Sequence, residues 1–458
     1  MGKPLRISVI GLGRLGSPLA ACLASRGFEV VGYDPVLEKV EALQARRSLH
    51  YEPGFEELMA QLGEELRATT DLKDAVTSTD VSIVAVPTPT APDGSLSLSS
   101  VGPTCAEIGK ILADVDRYHL VTVASTVMPG STRRRIAPVI EEASGKRIGS
   151  DIGLCYSAVY VTMGNVIEDF LRPSLALIGQ WDERSGAGMQ AIYEQVCDND
   201  PPIVRMSVTN AELTKLAVNV FVTTKISFAN FLARVCELMP GGDVDVVTSA
   251  MQLDPRIGRG ALCGAVSYGG PFFDKDNQAL GAMLKRLDVA PELVGVLGRF
   301  NRAQVPWLTD RVHERVPDGG TAAVLGLAYK PSTDMIDGSL GVQLCERLEE
   351  RGVHVVAYDP AAMPAARAVL PPATRLAASA EACIAQADVV VVATPWPAWR
   401  EVDTTAWGRE GTPRVVVDCW RELPELARAS GVTYVPLGIG PGVAGIGDRP
   451  PGRTCSTT

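Results

Sequence analysis

Two short segments near opposite ends of the chain repeat each other and constrain the fold more than any other feature of the sequence. Residues 30–35 read VVGYDP and residues 355–360 read VVAYDP. Each is followed by an apolar run that ends in Pro-x-Pro, at 81–89 and at 389–397. Short β-branched runs separated by helical stretches are typical of parallel sheets covered by helices on both faces. The sequence therefore predicts two α/β units of the same doubly wound, Rossmann-like plan.

The composition is that of an ordinary soluble globular protein. Of the 458 residues, 46% are hydrophobic and 21% are charged, and the formal charge of −10 argues against a nucleic-acid partner. The ten cysteines include no Cys-x-x-Cys pair, which predicts reduced thiols in a cytoplasmic protein without a bound metal. The N-terminus runs directly into a strand and the apolar runs are short or interrupted, so we expect neither a signal peptide nor a membrane segment.

Breaks in the chain indicate four regions. The stretch 209–239 contains neither glycine nor proline, which predicts one long helix with a capping box formed by Thr209 and Glu212. At about 1.5 Å per residue this helix would extend roughly 46 Å, enough to bridge two domains or two subunits. The predicted regions are a first α/β unit at 1–202, a central helical domain at 203–306, a second α/β unit at 313–440 and a flexible tail at 441–458.

The first strand runs into a Gly-x-Gly-x-x-Gly turn with glycines at 11, 13 and 16, and Asp34 closes the next strand. Such a turn lets a pyrophosphate approach the backbone at a helix N-terminus, and the carboxylate bonds a ribose 2′-hydroxyl but repels a 2′-phosphate. The pattern predicts NAD rather than NADP; the alternative is a structural glycine turn without a ligand. The second unit has only Gly-Leu-Ala at 326–328, which favours a mononucleotide or a nucleotide sugar there. Two ligand crevices in one chain are typical of a bisubstrate enzyme.

Long stretches of the chain resemble the UDP-glucose/GDP-mannose dehydrogenase family. The matching segments include GFEVVGYD (27–34), YEPGFEEL (51–58), VAVPTPTAPDGSLSLSSV (84–101), STVMPGST (125–132), AELTKLAVNVFVTTKISFAN (211–230) and LGLAYKPSTD (325–334). Enzymes of this family oxidise the C6 alcohol of a nucleotide sugar to a carboxylate with two NAD. The resemblance implies NAD on the first unit, a nucleotide sugar on the last with a UDP-sugar favoured, and a homodimer formed through the long helix.

The resemblance also implies three groups of site residues. The catalytic group is Lys215, Asn219, Asp276 and Thr126. The cofactor-binding group is Gly11, Gly13, Leu15, Gly16, Asp34, Pro87, Thr88, Ser125 and Thr126. The substrate-binding group is Arg256, Tyr268, Gly269, Phe272 and Lys330. In this setting Lys215 would stabilise a developing alkoxide, Asp276 would accept a proton, and Asn219 would orient the reacting oxygen. The alternative for Lys215 and Asn219, one turn apart, is a solvated helix face.

The chain departs from the family where the second oxidation would take place. The family's cysteine, which forms a thioester, lies in Gly-Tyr-Gly-Gly-Ser-Cys-Phe-Pro-Lys-Asp, and Phe272 stands at its position here. The family's Asn-Pro-Glu-Phe-Leu-Arg-Glu-Gly reads SAVYVTMG at 157–164, so that Val159 and Met163 replace both glutamates. Cys155 and Cys263 lie outside the nucleophile's motif, and we expect them to be packed thiols. Formation of the thioester and its hydrolysis are therefore both predicted to be lost.

The sequence thus predicts an NAD-dependent oxidoreductase that acts on a CH–OH group of a nucleotide sugar by a single hydride transfer. The product would be an aldehyde, a ketone, or a redox-neutral product if the hydride is returned. Two alternatives stay open: a non-catalytic protein that binds NAD and a nucleotide sugar, and a four-electron UDP-sugar 6-dehydrogenase that works through an aldehyde hydrate. The complete dinucleotide loop together with Lys215, Asn219 and Asp276 favours catalysis.

Overall fold

A computed structural model describes residues 5–290 and 292–448, which form two compact units. The first unit comprises residues 5–218 and 278–289, and the second comprises 219–277 and the described residues from 290 onward. The four predicted regions stay a prediction, since these units are divided differently along the chain. Of the predicted flexible tail, residues 449–458 lie outside the described part of the chain.

The first unit is built on an eight-stranded sheet. Its strands are β1 Arg6–Ile10, β2 Glu29–Tyr33, β3 Leu66–Thr69, β4 Val81–Val84, β5 His119–Val123, β6 Ile152–Tyr156, β7 Ala176–Gln180 and β8 Ile203–Ser207. Their order across the sheet is β3-β2-β1-β4-β5-β6-β7-β8, and it reverses between β1 and β4 as in a doubly wound sheet. The pair β6–β7 is antiparallel, which the sequence did not predict. The connecting segment 157–175 contains the short helix Val166–Leu171 and is long enough for either direction, so its length does not decide the pairing.

Helices cover both faces of this sheet. They are α1 Gly16–Ser25, α2 Leu37–Gln44, α3 Phe55–Ala60, α4 Leu72–Thr77, α5 Val101–Leu112, α6 Ala137–Ser144, α7 Val166–Leu171 and α8 Glu183–Val196, with a π-helical turn at Thr132–Ile136. Along β1, Val9 belongs to one buried apolar cluster and Ile10 to another, because successive side chains point to opposite faces. Every residue of β4 and of β5 is buried, as expected for strands covered on both sides.

The predicted long helix is present as α9, Val208–Leu238, but the predicted capping box is wrong. Glu212 is fully buried, and its carboxylate accepts hydrogen bonds from the backbone N–H groups of Gly130 and Thr132 (2.7 Å to Thr132). The helix begins at Val208, directly after β8, so Thr209 already lies inside its first turn. The tertiary contact with the 130–132 turn takes the glutamate away from the helix end.

Helix α9 is long and apolar enough, by length and composition, to cross a membrane. In its most apolar window, 44% of the residues are buried inside the protein. The helix also carries buried polar side chains with partners in the same fold, such as Asn230, whose Nδ2 donates to the Val266 carbonyl at 2.6 Å. These contacts are those of a core helix in a folded unit.

The second unit combines helices from the middle of the chain with a six-stranded parallel sheet. Its helices are α10 Val244–Met251, α11 Phe273–Leu287 (which continues into the first unit), α12 Glu292–Arg302, α13 Gln304–His313, α14 Leu340–Glu349, α15 Met363–Arg367, α16 Ala380–Ala385 and α17 Thr404–Trp407, with 3₁₀ turns at Pro397–Glu401, Pro424–Arg428 and Ile446–Asp448. Its strands are β9 Thr321–Leu325, β10 His354–Tyr358, β11 Arg375–Leu376, β12 Val389–Val392, β13 Arg414–Asp418 and β14 Val432–Pro436. The strand order is β11-β10-β9-β12-β13-β14. Two doubly wound α/β units with a helical middle region confirm the predicted fold class.

Candidate active site

The glycine turn after β1 has the geometry of a dinucleotide-binding loop. Gly11 has a φ of +105°, a conformation that favours glycine. A Cβ atom at Gly16 would overlap the carbonyl oxygen of Gly11, whereas a Cβ at Gly13 would meet nothing within 4 Å. The backbone of the turn therefore requires glycine at positions 11 and 16. The space around Gly13 is open, so a ligand could approach the backbone there. These residues fit a pyrophosphate placed at the N-terminus of α1.

Asp34 is fixed at the end of β2 with only 3% of its surface exposed. Its Oδ2 accepts hydrogen bonds from the Leu12 N–H and from the Lys39 ammonium, both at 2.9 Å, and its Oδ1 accepts from the Val36 N–H at 3.0 Å. A fixed carboxylate suits a ribose hydroxyl, and that role of Asp34 stays a prediction. Sequence reasoning missed Lys39, although a lysine five residues after the acid, at the start of α2, was a signal that could have found it.

We expect wild-type protein to bind NAD about tenfold more tightly than NADP or better, because a 2′-phosphate next to Asp34 costs at least about 1.4 kcal/mol. Asp34→Asn should reduce the preference for NAD, measured as the Kd for NADP divided by the Kd for NAD, at least tenfold. The substitution removes the repelling charge and leaves the Lys39 ammonium to pair with the 2′-phosphate. Calorimetric titration with both cofactors measures the two Kd values. Lys39→Met is the matched control and should increase the preference for NAD. Equal affinities for NAD and NADP in the wild type would contradict the assignment.

The other predicted cofactor contacts follow neighbouring strands of the same sheet. Pro87 and Thr88 come after β4, and Ser125 and Thr126 come after β5, which pairs with β4 in parallel. The Ser125 hydroxyl donates to the Val86 carbonyl at 2.6 Å and ties the two loops together. Leu15, half-buried, directly precedes α1. The topology thus brings the whole predicted cofactor group to one edge of the first sheet.

Lys215 lies on α9 within the first unit and is 8% exposed. Its ammonium donates to the carbonyl oxygen of Val159 at 2.9 Å and lies 4.4 Å from the centre of the Tyr160 ring. Both contacts come from the segment after β6, where the resemblance implies glutamates in the family. The Met163 side chain in that segment is buried, and Val159 packs against an apolar cluster of the first unit. The alternative of a solvated helix face is therefore wrong for Lys215.

Asn219 and Asp276 meet in the second unit. The Asn219 side-chain amide donates to Oδ2 of Asp276 at 2.6 Å, and Asp276 is 1% exposed. Asp276 lies in the first turn of α11, where the helix dipole favours a negative charge. Phe272, half-buried, immediately precedes this helix. The structure therefore brings the Asn219 amide and the Asp276 carboxylate together, and their catalytic roles stay a prediction.

The structure places some, but not all, of the predicted substrate-binding residues close to one another. The Gly270 N–H donates to the Asp337 carbonyl at 2.7 Å, and a Cβ at Gly269 would lie 2.5 Å from the Gly338 carbonyl oxygen, so these two loops touch through their backbones. The second loop also carries Lys330, whose ammonium donates to the Pro331 carbonyl at 3.2 Å.

Two side chains of the substrate-binding group are engaged within the protein. The Tyr268 hydroxyl accepts from the Asn277 amide at 2.9 Å, and burial raises the pKa of Tyr268 to about 12, so this side chain is neutral at physiological pH. Arg256 stays exposed and pairs with Asp254 at 2.6 Å. The structure therefore does not place Arg256 with the other predicted substrate residues.

The second unit keeps more of the dinucleotide turn than its sequence indicated. Gly326 has the same φ of +105° as the first glycine of the N-terminal turn. A Cβ at Gly341, in the first turn of α14, would overlap the Gly326 carbonyl oxygen. The first and third glycines are thus both present, with the loop 327–339 inserted between them. Sequence reasoning missed Gly341 because that insertion hides the spacing.

Asp359, the counterpart of Asp34 in the second unit, is 1% exposed and already saturated with hydrogen bonds. Its Oδ2 accepts from the Leu327 N–H, the Ala328 N–H and the Trp396 indole, and its Oδ1 accepts from two further backbone N–H groups. A carboxylate with five donors is not available to a ribose. The inserted loop and the engaged acid together fit a ligand other than a dinucleotide in this unit.

Cysteine chemistry has little support in the described residues. Burial raises the pKa of the Cys155 thiol to about 12, and this side chain is fully enclosed in β6. Cys263 is half-buried and lies nine residues before Phe272. Because the thiolate is the nucleophilic form, a raised pKa makes Cys155 an inert packing residue, as expected.

Three segments of the chain match the patterns that define one protein family. They are the NAD binding domain of the UDP-glucose/GDP-mannose dehydrogenase family at residues 5–197, its central domain at 209–303 and its UDP binding domain at 323–424. The UDP-glucose 6-dehydrogenase AglM of Haloferax volcanii is 36% identical over 403 residues, which cover 87% of this chain and 93% of that protein.

Further similar proteins are also nucleotide-sugar dehydrogenases. The GDP-mannose 6-dehydrogenase of Pseudomonas putida is 35% identical over 360 residues, covering 78% of this chain and 81% of that protein. Among solved structures, a UDP-glucose dehydrogenase from the hyperthermophilic archaeon Pyrobaculum islandicum superimposes with a TM-score of 0.85 at 34% identity, covering 96% of this chain and 98% of that one. The similarity thus extends over all of the elements described above.

Proposed function

Since the chain belongs to the UDP-glucose/GDP-mannose dehydrogenase family, we propose that it oxidises a hydroxyl-bearing carbon of a nucleotide-linked sugar by a single hydride transfer. Membership of the family confirms an NAD-dependent oxidoreductase, as the sequence predicted. The match of residues 323–424 to the family's UDP binding domain favours a UDP-sugar. The single-transfer step is the part of the proposal that goes beyond family membership.

The observation that carries the single-transfer proposal is the side chain that precedes α11. The resemblance puts Phe272 where the family has its nucleophilic cysteine, and a phenyl ring cannot add to an aldehyde. The segment 157–164 supports the same conclusion, because Val159 and Met163 stand where the resemblance implies the two glutamates of the family, so these two positions supply no carboxylate to assist water. Without a thioester and its hydrolysis, oxidation would stop at the aldehyde or ketone level.

The first oxidation needs only groups that the chain retains. Bound NAD would supply the hydride acceptor in the first unit. Lys215 would hold its positive charge toward the substrate oxygen as negative charge develops there. Asp276 would take the hydroxyl proton, directly or through a water, while the amide of Asn219 keeps the carboxylate oriented. One proton and one hydride leave the CH–OH group, and a carbonyl is formed.

A screen of purified protein tests this proposal. UDP-, GDP-, TDP- and ADP-sugars are each incubated with NAD, and the products are identified by mass spectrometry together with the NADH formed. A carbonyl product with one NADH per sugar, or a redox-neutral isomer, supports the proposal. A uronate with two NADH per sugar would contradict it and favour a route through the aldehyde hydrate. Binding of NAD and a sugar nucleotide without turnover of any substrate would favour a binding protein.

We also propose a homodimer formed through α9. Phe221, Phe228 and Phe231 are 62%, 47% and 48% exposed on this helix, and such a row of aromatic rings suits a protein interface. Ile226, on the same helix, is already buried within the chain and is not part of this row. Sedimentation at micromolar concentration should show a dimer, and Phe221→Glu combined with Phe228→Glu should shift it to monomer. A monomeric wild type would contradict this proposal.

A further inference from the structure

The backbone of Tyr268 is held by a side-chain amide from another helix. The Tyr268 N–H donates to Oδ1 of Asn301 at 2.9 Å, and Nδ2 of Asn301 donates back to the Tyr268 carbonyl oxygen at 3.0 Å. Asn301 lies in the last turn of α12, 33 positions further along the chain. An amide presents a donor and an acceptor side by side, so it can pair with one residue as a neighbouring strand would. These two bonds, here called the Asn301 clasp, fix the direction of the backbone at Tyr268.

The Asn301 clasp stands directly before two glycines that have no space for a side chain. A Cβ at Gly269 would lie 2.5 Å from the Gly338 carbonyl oxygen. A Cβ at Gly270, whose φ is +91°, would lie 2.6 Å from the Tyr329 ring. Glycine loses more conformational freedom on ordering than any other residue. The shape of a Gly-Gly step is therefore well defined only where the residues beside it are fixed.

The other contacts of this segment hold different parts of it. Asn230, on α9, accepts from the Ala265 N–H at 2.8 Å and donates to the Val266 carbonyl at 2.6 Å, and both of these residues belong to the core of the second unit. The Ser267 hydroxyl is buried without a hydrogen-bond partner among the described residues, so it does not fix the segment by hydrogen bonding. The Asn301 clasp, in contrast, fixes the backbone immediately before the glycines.

From this geometry we infer that Asn301 is a positioning residue for the nucleotide sugar, which holds the two glycines in their binding shape before the ligand arrives. The inference rests on the proposed function, in which the predicted substrate-binding residues Gly269 and Lys330 receive the nucleotide sugar. A loop that is ordered in advance leaves less ordering to be done on binding, and this strengthens the binding of substrate and transition state alike. Asn301 should therefore act on affinity and not on the chemical step.

Asn301→Leu keeps the approximate size of the side chain and removes both hydrogen bonds. UDP and GDP are each titrated alone by calorimetry, and we expect the Kd of whichever binds wild-type protein to rise about tenfold. The Kd of NAD should stay unchanged, because the dinucleotide turn belongs to the first unit. With the substrate from the sugar-nucleotide screen, KM should rise by a similar factor and kcat should stay within about threefold, as expected for a group that contributes equally to binding of substrate and transition state.

Gln304→Met is the matched control. Gln304 is 1% exposed, and its amide donates to the Phe300 carbonyl, four residues earlier, at 3.3 Å, so this variant also loses a buried amide. Its nucleotide Kd should stay within about twofold of the wild type. A wild-type Kd in Asn301→Leu would overturn the inference, and so would an equal rise in Gln304→Met. A fall in kcat of about tenfold at unchanged KM would also overturn it, since Asn301 would then act in the chemical step.

Amide hydrogen exchange tests the Asn301 clasp without any ligand. Asn301→Leu should speed exchange in peptides that contain Tyr268 about tenfold or more, whereas Gln304→Met should not. Unchanged exchange in Asn301→Leu would contradict the inference whatever the ligand is. Faster exchange in Asn301→Leu, combined with no binding of UDP or GDP by wild-type protein, would instead contradict the proposed function and with it the ligand that the inference names.

Discussion

Replacing Asp276 with asparagine is expected to lower kcat by about 10²- to 10⁴-fold, which is the usual contribution of a general acid or base. An asparagine at this position can still accept the hydrogen bond from the Asn219 amide, so the local geometry should persist. What disappears is the carboxylate that would take the hydroxyl proton. Steady-state kinetics with the substrate found by the sugar-nucleotide screen measures the effect.

Asp274→Asn is the matched control for this prediction. Asp274 lies two residues earlier in the same helical turn and is exposed, so the same chemical change there should leave kcat within about twofold. Calorimetry should show unchanged NAD affinity in both variants, since the dinucleotide loop belongs to the first unit. If Asp276→Asn retains more than about a tenth of wild-type kcat, another group must take the proton.

The repeated strand segments were the part of the fold that the sequence predicted most directly. Residues 30–35 and 355–360 coincide with the ends of β2 and β10, and both strands lie at the same place in their sheets. Hydrophobic periodicity and turn residues are local sequence patterns, and these patterns are sufficient to predict the buried strands of a parallel sheet. The antiparallel β6–β7 pair escaped prediction because strand direction depends on the path of the connection, and a local pattern does not specify that path.

Contacts between distant segments were the part that the sequence could not supply. Glu212 looked like a capping residue, yet its partners are backbone groups about eighty positions away. Asp359 repeats Asp34 in sequence, but the Trp396 indole and four backbone groups occupy its carboxylate. In both cases contacts within the folded unit, and not the local sequence pattern, decide what the carboxylate binds.

The same limit applies at the candidate site. The resemblance indicated Lys215, Asn219 and Asp276 individually, and the structure supplied what fixes them: a carbonyl and a ring for the lysine, and a side-chain pair for the other two. Tyr160 could not be singled out from sequence, because a tyrosine in a half-buried loop gives no sign of which face it presents to a cation. Such a contact becomes visible only once the loop is placed against α9.

Restoring the thiol alone should not restore four-electron oxidation. Phe272 is half-buried and precedes α11, so Phe272→Cys should fold with a smaller packing loss than the 3–5 kcal/mol typical of a fully buried phenylalanine. The new thiol could add to the aldehyde, and a second hydride could then leave to give a thioester. Hydrolysis would still lack a carboxylate to assist water, because Val159 and Met163 stand at the glutamate positions that the resemblance implies.

We therefore expect Phe272→Cys to stall after one turnover. It should accumulate an acyl-enzyme, detectable by intact-protein mass spectrometry, with a burst of NADH no larger than two per active site and no sustained uronate release. Phe272→Ser provides the matched control, since a hydroxyl at the same position lacks the nucleophilicity of a thiolate and should give no adduct. The wild type should release at most one NADH per sugar.

Adding Val159→Glu to Phe272→Cys tests whether the missing base is the remaining obstacle. The Val159 side chain packs against the apolar core of the first unit while its carbonyl holds Lys215, so a glutamate must turn out of that contact to reach water. Uronate release should appear in the double variant at a rate well below that of family enzymes, because the new glutamate must leave the apolar contact that Val159 makes before it can assist water. Sustained uronate release by Phe272→Cys alone would show that Val159 and Met163 are not functional losses, and that the ring of Phe272 is the single block to the second oxidation.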